Sequence, residues 1–310
     1  IAAAARLDGF APRDGVAQEA AKLELSGALK AGVLTIANLH AEAAGSTLVA
    51  SGTVEDGRFD ASGELQAPDL ARFAAIAGQP LSGALAGRIT ASASLPGGAF
   101  AIDLAANGHD IGVGIASADG LLAGPAKITG RVSRDRAGEI AVEEFVFKTN
   151  AAVAQAHARL GRDSIALDAS LKLSDLGKAG DGFAGSAALA VEASGTHDDI
   201  VSNVALSGSD VRVHGARLEV PTLSFAGRGP VGAHKGAFKL TGALDRQPIE
   251  GSGAVAFGAE SGVVLDQVAV TVASALINAD MRVPADGNPD GRIAVSLPRL
   301  ADFARLARMR

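Results

Sequence analysis

Apolar and polar residues alternate along this 310-residue chain from one end to the other. In the segment 165–173, every second residue is apolar, and Asp168, Ser170 and Lys172 are among the residues between them. A period of two is typical of strands that have one apolar face and one solvated face. The same pattern begins again at Leu23, Phe59, Ile89, Phe100, Ile128, Phe238, Val268 and Ile293. The chain is therefore predicted to be an all-β protein.

Short segments rich in Gly, Asp and Pro separate the alternating runs. They are Glu55-Asp56-Gly57-Arg58, Pro96-Gly97-Gly98, Arg136-Ala137-Gly138, Gly195-Thr196-His197-Asp198-Asp199 and Ala285-Asp286-Gly287-Asn288. Such residues form tight turns, and their spacing favours an antiparallel meander. Aromatic residues make up only 4% of the chain, all of them Phe, so the expected core is thin or open.

Three short helical segments interrupt the strands. In the first, Asp69 is placed to cap a helix that Gly78 ends, with Leu70 and Phe73 on one stripe. A weaker copy surrounds Leu176, and a third is predicted over 299–307, with Leu300 and Phe303 on the equivalent stripe. The three segments indicate an internal repeat of strands plus one short helix.

The segments before the second and third helices also match each other. Gly130 precedes Leu176 by 46 residues, and Gly253 precedes Leu300 by 47 residues. A repeat of this kind predicts a quasi-linear array in which each unit packs against its neighbours. We expect one continuous β-repeat array over residues 1–310, with approximate units 1–79, 80–180 and 181–310.

The sequence offers no candidate catalytic, cofactor-binding or metal site. The chain has no Cys, and its six His residues lie in separate strands and turns. The match to G-x-G-x-x-G at 227–232 contains Pro230 and precedes a strand pattern, so it indicates a hairpin. Glu143 and Glu144 are adjacent in a strand and point to opposite faces. We therefore expect a protein that is not an enzyme and needs no cofactor.

Charge and hydropathy exclude two further classes of function. The net charge is −6 and there is no basic run, which argues against nucleic-acid binding. No apolar run approaches the roughly 18 to 20 residues that would span a bilayer. The chain begins with Ile1, so it is expected to be part of a longer protein, with any signal or anchor outside it.

The apolar side of the alternation is the candidate functional surface. We expect its larger side chains to share a single concave face that forms an open apolar groove, with the polar neighbours facing solvent. The candidate groove residues are Phe59, Leu65, Ile89, Leu95, Phe100, Ile102, Leu104, Ile165, Leu167, Leu171, Val270, Val272, Ile293 and Val295.

Strands that end in a short helix, followed by Gly and a new set of strands, resemble the TamB family, which is related to the AsmA-like proteins. The segment from Leu65 to Ile89 carries this likeness, with Asp69, Leu70 and Phe73 in its helix and the run 80–85 after it. Gly177 and Gly180 depart from the pattern in the second helix. The likeness extends over most of the chain and rests on pattern rather than on a fixed motif.

The resemblance implies a long, curled, open antiparallel β-sheet in the bacterial periplasm, belonging to a protein anchored in the inner membrane. It implies transport of phospholipid between the two membranes in support of outer-membrane biogenesis. The implied partners are phospholipid acyl chains and an outer-membrane barrel protein of the TamA or BamA kind. The alternative is a β-solenoid or adhesin-like structural segment, which would show a shorter repeat of roughly 20–30 residues.

Overall fold

The computed structural model describes residues 2–10, 19–94, 97–230, 232–258, 262–284 and 287–299. Most of these residues lie in antiparallel strands, and the helices among them are few and short. The strands do not close on themselves, so the sheet is open. The predicted all-β fold class is confirmed. The chain divides into two compact units, residues 1–162 and 163–310.

The first unit is an antiparallel meander of ten strands. Each strand pairs with the next along the sequence, so the predicted hairpin connectivity is confirmed. The strands are β1 (Ala2–Phe10), β2 (Glu19–Lys30), β3 (Val33–Ala43), β4 (Ser46–Glu55), β5 (Arg58–Ala67), β6 (Ser82–Ser94), β7 (Ala99–Gly112), β8 (Pro125–Arg134), β9 (Ile140–Lys148) and β10 (Ala152–Leu160).

The second unit repeats this arrangement with nine strands, again paired in sequence order. They are β11 (Ile165–Leu173), β12 (Phe183–Thr196), β13 (Asp199–Val213), β14 (Ala216–Gly229), β15 (Ala233–Leu244), β16 (Gln247–Gly258), β17 (Gly262–Val272), β18 (Ala275–Val283) and β19 (Asp290–Ser296). Residues 227–229 end β14, and Ala233 begins the antiparallel β15, so the G-x-G-x-x-G match lies at a hairpin as predicted.

The first predicted helix is confirmed as a 3-10 turn, Leu70–Phe73, that continues into α1 (Ala74–Ala77). Asp69 accepts a hydrogen bond from the Ala71 N–H at 3.0 Å, and Gly78 ends the helix at a φ of 70°. The second is a single 3-10 turn, Leu176–Ala179. The third, predicted over 299–307, lies outside the described residues except for Arg299.

A further short helix, α2 (Ala116–Leu122), was not predicted. It contains Gly120, and its N-cap Ile115 makes no side-chain cap, so the usual sequence signals of a helix are missing. Asp119 holds the segment in place by accepting a 2.6 Å hydrogen bond from the Val113 N–H. This contact joins the helix to the end of β7, and the sequence pattern did not reveal it.

Two local backbone features, a capped 3-10 turn and a glycine at positive φ, recur at equivalent places in the two units. Asp175 caps its 3-10 turn as Asp69 does, with φ of −146° against −143° and a 2.9 Å hydrogen bond from the Gly177 N–H. A glycine at positive φ then begins the next strand, Gly83 at 97° and Gly185 at 94°. Each lies against a partner strand at a register shift. The repeat therefore includes backbone geometry, whereas the three unit boundaries stay a prediction.

These glycines generate a stability prediction. A Cβ on Gly83 would lie 2.4 Å from the Asp110 carbonyl oxygen, and a Cβ on Gly185 would lie 2.4 Å from that of Asp210. Gly83→Ala and Gly185→Ala should each lower the free energy of unfolding by about 2–5 kcal/mol, through overpacking and an unfavourable φ. Urea unfolding followed by circular dichroism measures the loss.

Gly32 supplies the matched control, because it also has a positive φ, 85°, but a Cβ on it would have no atom of the described residues within 4 Å beyond its chain neighbours. Gly32→Ala should cost only about 1–2 kcal/mol, the cost of the left-handed backbone. Equal losses at Gly32 and Gly83 would show that the close approach to Asp110 is unimportant.

Candidate functional site

Strand register gathers the apolar residues of the first unit onto one face. Directly paired residues of neighbouring strands point to the same side of a sheet, so a row of pairs can be followed across it. Three rows cross β2 to β10 in this unit. They are Leu29, Leu34, Val54, Phe59, Ala93, Phe100, Arg134, Ile140 and Leu160; Gly27, Ile36, Gly52, Ala61, Ala91, Ile102, Val132, Val142 and Ala158; and Leu23, Ala41, Leu48, Leu65, Gly87, Ala106, Ile128, Phe147 and Ala154.

The second unit has an apolar face built in the same way. One row runs through all nine strands without a polar side chain: Leu171, Leu189, Leu206, Leu223, Leu240, Gly251, Val270, Ile277 and Val295. A second row on the same face contains Leu167, Ala193, Ser202, Gly227, Gly236, Val255, Leu265, Met281 and Gly291. Each unit therefore has one apolar face.

The register brings the predicted groove residues together within each unit. In the first unit one face carries Phe59, Leu65, Ile89, Phe100, Ile102 and Leu104. In the second unit one face carries Ile165, Leu167, Leu171, Val270, Val272, Ile293 and Val295. Leu95 lies outside the described residues. That these faces are concave stays a prediction.

No second layer of structure buries these faces within the described part of the chain. The buried apolar residues there are seven Ala and two Val, and no large side chain is fully buried. Larger side chains on the apolar faces stay accessible to solvent, with Ile102 41% exposed, Ile293 60% and Val295 58%. The apolar faces are therefore free surfaces rather than halves of a closed core.

The opposite face of each unit is polar. A row on the first unit reads Ser51, Ser62, Thr90, Asp103, Arg131 and Glu143. Two hollows of about 610 and 580 Å³ open on this face around Ser51 and Ser62. Exposed apolar side chains such as Val49 and Val201 are exceptions to the polar pattern. The two faces thus differ sharply in chemistry.

Ion pairs join neighbouring strands on the polar face. Arg131 lies between Asp103 at 3.7 Å and Glu143 at 3.9 Å, and Arg88 Nη2 donates to Glu64 at 3.3 Å. In the second unit, hydrogen bonds from the Arg228 guanidinium lower the pKa of Asp199. These contacts are solvent-exposed, so they contribute little to the stability of the fold.

One polar pair lies within the apolar face of the second unit. Ser202 Oγ is 2.6 Å from His234 Nε2, and both residues are partly buried. The Phe225 ring packs near the His234 ring, with centroids 6.2 Å apart, and meets the Phe257 ring edge-on. Ser202 and His234 come from β13 and β15, 32 residues apart. The sequence pattern did not predict this pair.

Two other kinds of site are absent from the described part of the chain. It contains no group of three or more His, Asp or Glu side chains that could hold a metal ion. None of its helices is long and apolar enough to cross a membrane. Comparison with models of protein families, with curated proteins and with solved structures finds no match. The apolar faces are thus the candidate site on the geometry alone.

The Ser202 and His234 pair generates a second prediction. Ser202→Ala leaves the half-buried imidazole without its partner, so the free energy of unfolding should fall by about 1 kcal/mol. Adding His234→Phe removes the orphaned group and should recover most of the loss. Urea unfolding of both single variants and the double variant measures the coupling, which should be about 1 kcal/mol. Strictly additive effects would mean that the hydrogen bond contributes nothing.

Proposed function

We propose that this chain is a segment of a bridge-like lipid-transport protein, and that its apolar faces shield phospholipid acyl chains from water. The observation that carries the proposal is the row from Leu171 to Val295, which is apolar on nine neighbouring strands. Contiguous apolar surface without a covering layer is typical of surfaces that bind an apolar partner. A hydrocarbon chain is such a partner.

The energetics favour a continuous face over isolated apolar patches. Moving a 16-carbon acyl chain from hydrocarbon into water costs on the order of 12 kcal/mol, at about 0.8 kcal/mol per methylene. A lipid that crossed an aqueous gap unaided would meet this barrier in full. A surface that keeps the chain in apolar contact at every step offsets the cost, and it requires no chemistry.

The small residues of the apolar rows suit this function. Gly52, Ala61 and Ala91 occupy consecutive strands in one row of the first unit, and their short side chains leave space above the sheet. Ile36 and Ile102 lie on either side of them in the same row. This alternation of small and large side chains provides shallow channels for flexible acyl chains. A close-packed partner domain would need a more fully complementary surface.

The resemblance to the TamB family supplies the cellular setting of the proposal. It implies a periplasmic segment of a protein anchored in the inner membrane, with an outer-membrane barrel partner of the TamA or BamA kind. The second reading, a β-solenoid or adhesin-like segment, is less well supported, because the strands form open antiparallel meanders with an exposed apolar face. A structural segment of that kind has no use for uncovered hydrocarbon-like surface.

Photo-crosslinking tests the proposal directly. A photoreactive amino acid at Leu104 or Leu167 should crosslink phospholipid in membrane-containing cells, because both positions lie on apolar faces. The matched control positions are Ser92 and Asp168, which the register places on the polar faces. Equal crosslinking from the two sets would remove the support for lipid binding and favour the structural alternative.

Substitution to Asp gives an independent test in the full-length protein. Leu104→Asp and Leu167→Asp should each impair an outer-membrane integrity assay, because a carboxylate in contact with hydrocarbon costs several kcal/mol. Ser92→Asp should have little effect on its already polar face. Normal outer-membrane integrity with folded Leu104→Asp and Leu167→Asp variants would contradict the proposed function.

A further inference from the structure

Arg134 is the one charged residue in the three apolar rows of the first unit. In its row it stands between Phe100 on β7 and Ile140 on β9. Its guanidinium Nη1 donates a hydrogen bond to the Gly98 carbonyl oxygen at 3.1 Å, so the charged group lies at the hairpin turns. When a long cationic side chain extends from an apolar surface to the edge of that surface, its charged group is expected to stay in contact with water.

A cavity of about 400 Å³ opens at these turns. Its wall comes from three neighbouring hairpins, and includes Asp56, Arg58, Ser94, Phe100, Arg134 and Arg136. Phe100 belongs to the apolar face, whereas Ser94 pairs with Arg58 and belongs to the polar face. The cavity therefore lies at the rim where the two faces meet, and its volume is within the range of about 300–1,000 Å³ usual for small-molecule sites.

Two guanidinium groups of this cavity have no carboxylate partner. Arg58 is bound by both carboxylate oxygens of Asp60, at 2.8 and 3.3 Å. By contrast, among the described residues no carboxylate lies within 4 Å of the cationic groups of Arg134 or Arg136.

The acidic residues nearby form no ion pair with Arg134 or Arg136 among the described residues. The Asp135 carboxylate accepts a 2.9 Å hydrogen bond from the Glu139 N–H within its own turn. Asp56 is the one acid among the residues that form the wall, and Asp60, which lies outside it, pairs with Arg58. The wall therefore carries three Arg, two of which pair with no carboxylate among the described residues.

We propose that this cavity binds the phosphate group of an amphiphile whose hydrocarbon chain lies on the adjoining apolar face, beside Phe100. The proposal deepens the proposed function and rests on it for the position of the chain. Guanidinium groups bind phosphate oxygens through paired N–H donors, and the Ser94 hydroxyl adds a neutral donor on the same wall. A lipid headgroup and free phosphate would present the same phosphate oxygens to these arginines. The apolar side chain of Phe100 in the cavity wall favours the lipid.

A single fluorescent reporter makes the test direct, because the chain contains no Trp or Tyr. Phe59→Trp places an indole on the same row as Phe100, separated from it by Ala93. Three probes are titrated below their micelle concentrations where these apply: dodecyl phosphate, dodecyl glucoside and inorganic phosphate. Dodecyl phosphate should bind about tenfold more tightly than dodecyl glucoside, the change expected from one charge-assisted hydrogen bond.

Substitution of the two free arginines should remove this preference. In the Phe59→Trp background, Arg134→Gln with Arg136→Gln should weaken dodecyl phosphate binding about tenfold and leave dodecyl glucoside binding unchanged. Arg88→Gln with Arg131→Gln removes the same charge from the polar face and should change neither. Asp56→Asn should strengthen dodecyl phosphate binding severalfold, because it removes a negative charge from the wall of the cavity.

The outcomes separate this proposal from the proposed function. If the Arg134 and Arg136 variant keeps the preference for dodecyl phosphate, or the control variant loses it equally, the headgroup site is overturned while the apolar face keeps its function. Inorganic phosphate that binds as tightly as dodecyl phosphate would also overturn it, in favour of a free-anion site. If neither amphiphile changes the Trp fluorescence, the proposed function itself fails.

Discussion

The hydrogen-bonded register between neighbouring strands determines which side chains lie together on each face of this protein. Side chains alternate between faces with a period of two, so a slip of one residue would exchange the apolar and polar faces of a strand. The meander must therefore keep every pair in phase across ten strands in one unit and nine in the other. Where strand geometry needs an extra residue, a bulge supplies it without changing the faces.

The bulge at Glu144 shows how this works. Its φ is 51°, and it separates Val142 from Phe145, yet both side chains remain on the apolar face, opposite Ala158 and Ala156 of β10. Gly130 on β8 faces the bulge, and a Cβ there would lie 3.2 Å from the Phe145 Cα. The same combination recurs where Gln267, at a φ of 51°, lies opposite Gly253. Glycine therefore accommodates the extra residue on the partner strand.

The sequence predicted those parts of the fold that depend on local pattern. Alternation predicted the strands and the face on which Phe59, Leu104 and Leu171 lie, and Asp69 and Gly78 predicted a capped helix. Helix α2 was missed because the hydrogen bond that stabilises it, between Asp119 and Val113, does not produce a periodic pattern in the sequence. Gly130 and Gly253 were recognised as equivalent, but their position opposite bulges depends on strand pairing that a linear pattern does not contain.

Alternation places Arg134 and His234 on the apolar faces, in phase with Val132 and Phe238, but it does not reveal their partners. The arrangement of these partners follows from desolvation. A polar group in the middle of an apolar surface is costly unless another protein group satisfies it. Ser202 and His234 lie on the apolar face near the strand ends, and the hydroxyl and the imidazole bond to each other.

Arg134 carries a full charge and forms no ion pair among the described residues, and it occurs at the end of the strands, where the Gly98 carbonyl oxygen and solvent are both within reach. Under the proposed function, a face that holds hydrocarbon chains tolerates the first arrangement, because the hydroxyl and the imidazole nitrogen bond to each other rather than meeting the chains unpaired. The proposed headgroup site would use the second, because an amphiphile has its own charge at the end of its chain.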